Sequence, residues 1–218
     1  MNCIHCGKII SNTYYMDWAG NQVCSTCYGI VSRCVSCGQF CNHQAKIIDG
    51  DKMLCHHCQR YYMRKKDARW MINYINSIYE NEGLGRIGNW RLKGANAATL
   101  MSMTGNPYTR GVAQRRGDYY TIFVYRHLSR TAFAEVLAHE MLHIWQYERD
   151  IYAEDILMEG FCNLGSFIVL NKIGTPRAFN FMKTMNADTD PIYGEGFRIM
   201  RDIYREQGWE GVIRKLTE

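Results

Sequence analysis

Beyond residue 58 the hydrophobic positions of this chain fall into patterns; before it they do not. From Thr131 to about Glu148, Phe133, Leu137, Met141 and Ile144 recur three or four apart, which predicts a helix with one apolar face. From about Ala153 to Leu170, apolar residues including Ile156, Leu157, Phe161, Leu164 and Ile168 wrap most of a helical surface, which predicts a buried helix. Gln59 to about Glu82 places Tyr62, Trp70, Ile75, Ile78 and Tyr79 at helical spacing, and Gly83 and Gly85 end it. Tyr119 to Tyr125 is a run of aromatic and β-branched residues and predicts a strand. Residues 86–117, punctuated by Gly88, Gly94, Gly105, Pro107, Gly111 and Gly117, read as loops with short strands.

The first 58 residues are organised by cysteine instead. Cys3/Cys6, Cys24/Cys27, Cys34/Cys37 and Cys55/Cys58 are four C-x-x-C pairs, and a shift of 31 residues maps the first two onto the last two. Each such turn aims two sulfurs at one ion, and two turns complete a tetrahedron. The spacing predicts two structural zinc sites, one on Cys3, Cys6, Cys24 and Cys27 and one on Cys34, Cys37, Cys55 and Cys58. Units this short bury too little apolar surface to fold alone, so metal supplies the missing stability. Cys41, His43, His56 and His57 are left over and read as exposed or locally packed. Residues 3–58 resemble a LIM domain, a tandem of zinc fingers. They depart from it in having Cys24 where a LIM domain has His, and in the longer spacer between Cys27 and Cys34. The resemblance implies a protein-interaction or regulatory module over residues 1–59, with the rest of the chain, 60–218, as a second domain entered by a connecting helix at 60–82.

Composition narrows the class. Hydrophobic residues make up 47% of the 218, which suits a folded chain rather than a disordered one. The formal charge is +5; eight thiolates would take eight from it and three zinc ions would return six, leaving +3. Residues 1–58 carry Lys8, Arg33, Lys46 and Lys52 against Asp17, Asp49 and Asp51. Neither figure is the footprint of a nucleic-acid binder, and Arg64, Lys65, Lys66 and Arg69 read as a solvated helix face. No stretch is expected to span a membrane, and Met1 to Cys6 does not look like a signal peptide. The expected location is the cytoplasm, where thiols stay reduced and bind metal.

His139-Glu140-Met141-Leu142-His143 carries the candidate chemistry. Two histidines four apart share a helix face and can reach one ion, while the intervening glutamate meets the water rather than the metal. About 0.01 matches to this pattern arise by chance at the chain's composition. Glu159 lies within the apolar run of the next helix, where a carboxylate is costly unless paired or bound to metal. Two antiparallel helices would bring it to the histidines as third ligand of a catalytic zinc, with Asn163 one turn later to hold Glu159 by a hydrogen bond. Cys162 reads as a buried, inert thiol.

Three blocks carry a more specific resemblance: Leu137 to Trp145, Met158-Glu159-Gly160-Phe161-Cys162, and Pro191-Ile192-Tyr193-Gly194-Glu195-Gly196-Phe197-Arg198. In this order, behind a LIM-like module, they resemble the "DA-one" family of LIM-domain zinc peptidases, plant proteins that limit organ growth and their bacterial relatives. The resemblance implies an α+β, mostly helical, zincin-like domain and a ubiquitin-regulated cytoplasmic endopeptidase. Plant members carry ubiquitin-interacting helices before the LIM domain. With Cys3 already a ligand, ubiquitin dependence is not expected to carry over. The expected reaction is peptide-bond hydrolysis with one catalytic and two structural zinc ions, Glu140 as general base and Tyr193 as oxyanion donor. The strand Tyr119–Tyr125 is expected to pair with the protein or peptide substrate. The alternatives are a catalytically latent LIM-type adaptor, a zinc-ribbon nucleic-acid binder and a zinc hydrolase acting on another amide.

Overall fold

The computed structural model describes residues 1–117 and 119–218. The chain is α+β, with two four-cysteine clusters near its N-terminus. It forms two compact units: Met1–Met63 with His127–Ala132, and Arg64–Arg126 with Phe133–Glu218. The first unit thus runs past the boundary expected at residue 59 and takes back a segment that no pattern in the sequence marks.

The first unit repeats one small fold. Strands β1 (Tyr14–Met16) and β2 (Gln22–Cys24) pair antiparallel and lead into a one-turn helix α1 (Ser25–Tyr28). Strands β3 (Lys46–Asp49) and β4 (Lys52–Leu54) lead likewise into α2 (His56–Arg60). The repeat extends to single hydrogen bonds. Gly7 N–H donates to Cys3 O and Gly38 N–H to Cys34 O, and both glycines sit at φ 74°, the left-handed region a knuckle turn needs. The two fingers are joined by Trp18 Nε1 donating to Cys37 O (2.7 Å) and by Phe40 N–H donating to the buried Asp17 carboxylate (2.6 Å). The returning segment is held on the second finger: Met63 N–H donates to Leu128 O, Arg130 N–H to Tyr61 O, and Ser129 N–H to Ser36 Oγ (2.8 Å).

In the second unit, α3 (Ala68–Asn81) begins later than the helical pattern from Gln59 predicts. Tyr61 to Met63 bond to residues 128–130 instead, so the backbone there is committed to a bridge. Three strands follow, β5 (Trp90–Ala95), β6 (Gly111–Arg116) and β7 (Tyr119–Tyr125), with the short helix α4 (Ala97–Thr104) between β5 and β6. The eight residues of α4 are too few for a period to show, yet Asn96 caps its first turn and Gly105 ends it at φ 73°. The sheet order is β5-β7-β6, parallel to one side of β7 and antiparallel to the other. Tyr119–Tyr125 is therefore the central strand, with both edges bonded, and cannot take up a substrate strand as expected; β5 and β6 are the edges.

Helix α5 (Arg130–Tyr147) starts in the first unit and continues through the second. Ser129 precedes it, and its Oγ accepts from Ala132 N–H (3.4 Å). It is followed by α6 (Asp155–Ile173), α7 (Pro176–Ala187) and α8 (Tyr193–Thr217), the last interrupted at Gly208. By length and apolar content α6 does qualify as a membrane span, which corrects the sequence expectation. In the fold half of it is buried, including Phe161, Leu164 and Val169, as in a core helix. It crosses α8 at a glycine pair so close that a methyl on Gly160 would lie 2.3 Å from Gly196 O, and one on Gly196 2.1 Å from Ile156 O.

Candidate metal centres and active site

In each N-terminal cluster the four sulfurs lie within 4.8 Å of one another. Backbone amides point at them in repeat-equivalent fashion: Cys24 N–H at Cys3 Sγ and Cys55 N–H at Cys34 Sγ, both 3.4 Å. Cys37 Sγ and Cys55 Sγ are 3.9 Å apart. Four thiolates cannot share such a space without a cation. Hydrogen bonds from Cys34 and its neighbours hold Cys58 far below the ordinary thiol range, and the same contacts push Cys37 far above it. A divalent cation removes that conflict, and four sulfurs at this separation are compatible with zinc. Cys41 is buried nearby, pushed up to about 12 by burial and then by charge on Cys34 and Cys58. It stands outside the cluster.

The second unit brings His139, His143 and Glu159 together from α5 and α6. His139 Nε2 and His143 Nε2 are 3.1 Å apart. Glu159 Oε2 lies 3.0 Å from the first, and Glu159 Oε1 lies 3.6 Å from the second. The proton positions follow from the amides behind the rings. Asn163 Nδ2 donates to Tyr193 O (3.1 Å), which turns its Oδ1 toward His139 Nδ1 (3.0 Å). Gln146 Nε2 donates to Met158 O (3.1 Å), which turns its Oε1 toward His143 Nδ1 (3.0 Å). Both Nδ1 atoms are then donors, so in the neutral imidazoles both Nε2 atoms present bare lone pairs. Glu159 Oε2 is buried and accepts no hydrogen bond. Three lone-pair donors facing one another repel unless a cation lies between them. Ligands about 2.0–2.1 Å from a tetrahedral ion sit about 3.3 Å apart, close to the separations found. Burial alone would raise the Glu159 carboxyl; protonated imidazoles at His139 and His143, or a cation in place of those protons, hold it below the usual carboxylate range.

Cys162 also falls within 4.8 Å of the two histidines. Its Sγ, however, is 3.4 Å from His143 Nδ1 and 3.6 Å from Gln146 Oε1, behind the ring rather than beside Nε2. It packs against His143 and does not share the donor triangle. Asn163 differs from expectation in its partner, holding His139 rather than Glu159. Gln146 was not anticipated, although a fully buried glutamine three residues after His143 in an apolar helix needs a buried partner.

Glu140 is buried on the face of α5 turned to the sheet. Burial raises its carboxyl. The histidines and the Ala113 amide of β6 counter this in part. Tyr193 is exposed at the first turn of α8; burial of its hydroxyl and then the Glu159 charge raise its pKa. Its backbone carbonyl is the group that orients Asn163, so α8 is tied to His139 through one amide. In comparisons with known proteins, no family model, no curated protein and no solved structure matches this chain.

Proposed function

We propose that this chain is a zinc-dependent peptidase, an endopeptidase of zincin type on protein substrates and a relative of the "DA-one" peptidases. His139, His143 and Glu159 hold its catalytic zinc, and the two cysteine clusters are structural zinc sites. The observation that carries this reading is the triangle of His139 Nε2, His143 Nε2 and the Glu159 carboxylate at 3.0–3.6 Å beside the buried carboxylate of Glu140. Zinc bound there supplies a Lewis acid that polarises the scissile carbonyl and acidifies water. The Glu140 carboxylate accepts the proton of the attacking water and passes it to the leaving nitrogen as the C–N bond breaks. A carboxylate raised by burial is the stronger base toward that water. The Tyr193 hydroxyl donates to the developing oxyanion. An extended substrate lies along the free edge of β6, the strand nearest Glu140. The first unit binds a protein partner, nucleic acid and membrane are not partners, and the cytoplasm is the working compartment.

Metal content is the test. The wild type is expected to carry three zinc ions per chain and His139→Ala/His143→Ala two. Two in both would leave a latent LIM-type adaptor as the better reading. A finer expectation concerns the amides behind the rings. Asn163→Ala and Gln146→Ala should each weaken the catalytic zinc by about 10–100-fold in competition with a chromophoric chelator. Undiminished affinity would show that the imidazoles need no such orientation.

A further inference from the structure

Gly111 opens β6 at a place where no side chain fits. A methyl group there would lie 2.5 Å from Val136 Cγ1, 2.7 Å from Glu140 Oε1 and 2.9 Å from Glu140 Cγ. Val136 and Glu140 are one turn apart on α5, so these two side chains straddle the Gly111 backbone. Gly111 is not among the residues at positive φ. Its conformation is open to any residue, so the glycine serves close approach and not backbone freedom. The edge strand therefore lies directly against the carboxylate.

We propose that Gly111 is a positioning residue for Glu140: its missing side chain lets β6 close on α5, so that contact with the strand backbone fixes the carboxylate where it takes the proton. This rests on the peptidase reading. In the Gly111→Ala protein either β6 moves outward and releases the carboxylate, or the carboxylate rotates away. Both leave His139, His143 and Glu159 in place.

The sheet supplies its own control. Gly94 on β5 and Gly111 on β6 face the same residue, Val124 of β7, from opposite sides. A methyl on Gly94 would meet only Arg126 Cβ, at 3.8 Å, an ordinary contact. Gly94→Ala, Gly111→Ala and Gly111→Ala/Val136→Ala are compared with wild type for kcat, KM, bound zinc and thermal midpoint. Gly111→Ala is expected to lose about a hundredfold in kcat, the cost of a reacting group displaced by about 1 Å, with KM and the three zinc ions kept. Gly94→Ala should match wild type. The double variant removes the Val136 clash and should recover the thermal midpoint without recovering kcat. Recovery of kcat in the double variant, or a Gly111→Ala kcat near that of Gly94→Ala, overturns the proposal. Loss of zinc in Gly111→Ala overturns it also, because the effect would then lie in the ligands. A wild type that binds zinc and cleaves no protein substrate overturns the peptidase reading itself, and this proposal with it.

Discussion

Glu140→Gln is expected to lower kcat by about 10²–10⁴-fold, the range that removing a general base produces, while the chain keeps all three zinc ions. The amide matches the carboxylate in shape, so the packing around Glu140, buried at 7% exposure, should persist. Glutamine keeps a side-chain oxygen that accepts hydrogen bonds, as glutamate does. What it cannot do is take a proton from water. Glu140 also stands outside the triangle of His139, His143 and Glu159, so metal binding should not depend on it. Cleavage of a denatured protein substrate, measured beside zinc content, checks both halves. Retained cleavage would remove Glu140 from the mechanism. Loss of zinc would make it a ligand instead.

Cys58→Ser is expected to unfold the first unit and to loosen the first turn of α5. A structural zinc site contributes about 10–16 kcal/mol to folding, comparable to the whole stability of a typical domain. Cys58 is fully buried at the second cluster, and the segment that precedes α5 rests on that finger. Ser36, between Cys34 and Cys37, accepts from Ser129 N–H, and Ser129 caps α5. Tyr61 and Met63, just past Cys58, bond to Arg130 and Leu128. Cys6, by contrast, is exposed in the first finger, which meets the second through Trp18 and Asp17. Cys6→Ser should therefore leave residues 127–132 protected. Hydrogen exchange over 127–132 separates the two variants. Equal protection of that segment in Cys58→Ser and wild type would show that α5 starts without help from the second cluster.

Much of the site was legible because its chemistry is local. Four C-x-x-C pairs at a repeat of 31 residues imply their own grouping, and the clusters form as the spacing requires. His139 and His143 share a helix face whatever surrounds them. Glu159 stood out as a carboxylate in an apolar run, and α6 brings it to both imidazoles. The second layer was less legible. Asn163 turned out to serve His139, because its partner depends on where α8 puts the Tyr193 carbonyl. Gln146 escaped notice because a lone glutamine carries no spacing signal.

The helices with a sustained apolar period, the strand Tyr119–Tyr125, the cysteine repeat and the pair of histidines each follow from neighbours within a few turns of chain. That this strand is central and β6 an edge is set in the folded chain, because strand order depends on pairings between distant segments. The fold alone returned residues 127–132 to the cysteine-rich unit, through hydrogen bonds such as that from Ser129 to Ser36, 93 positions apart. And it alone distinguished the glycines that permit close approach, Gly111 against α5 and Gly160 against Gly196, from those that merely end an element. A missing side chain says nothing in a sequence about what occupies the space it leaves.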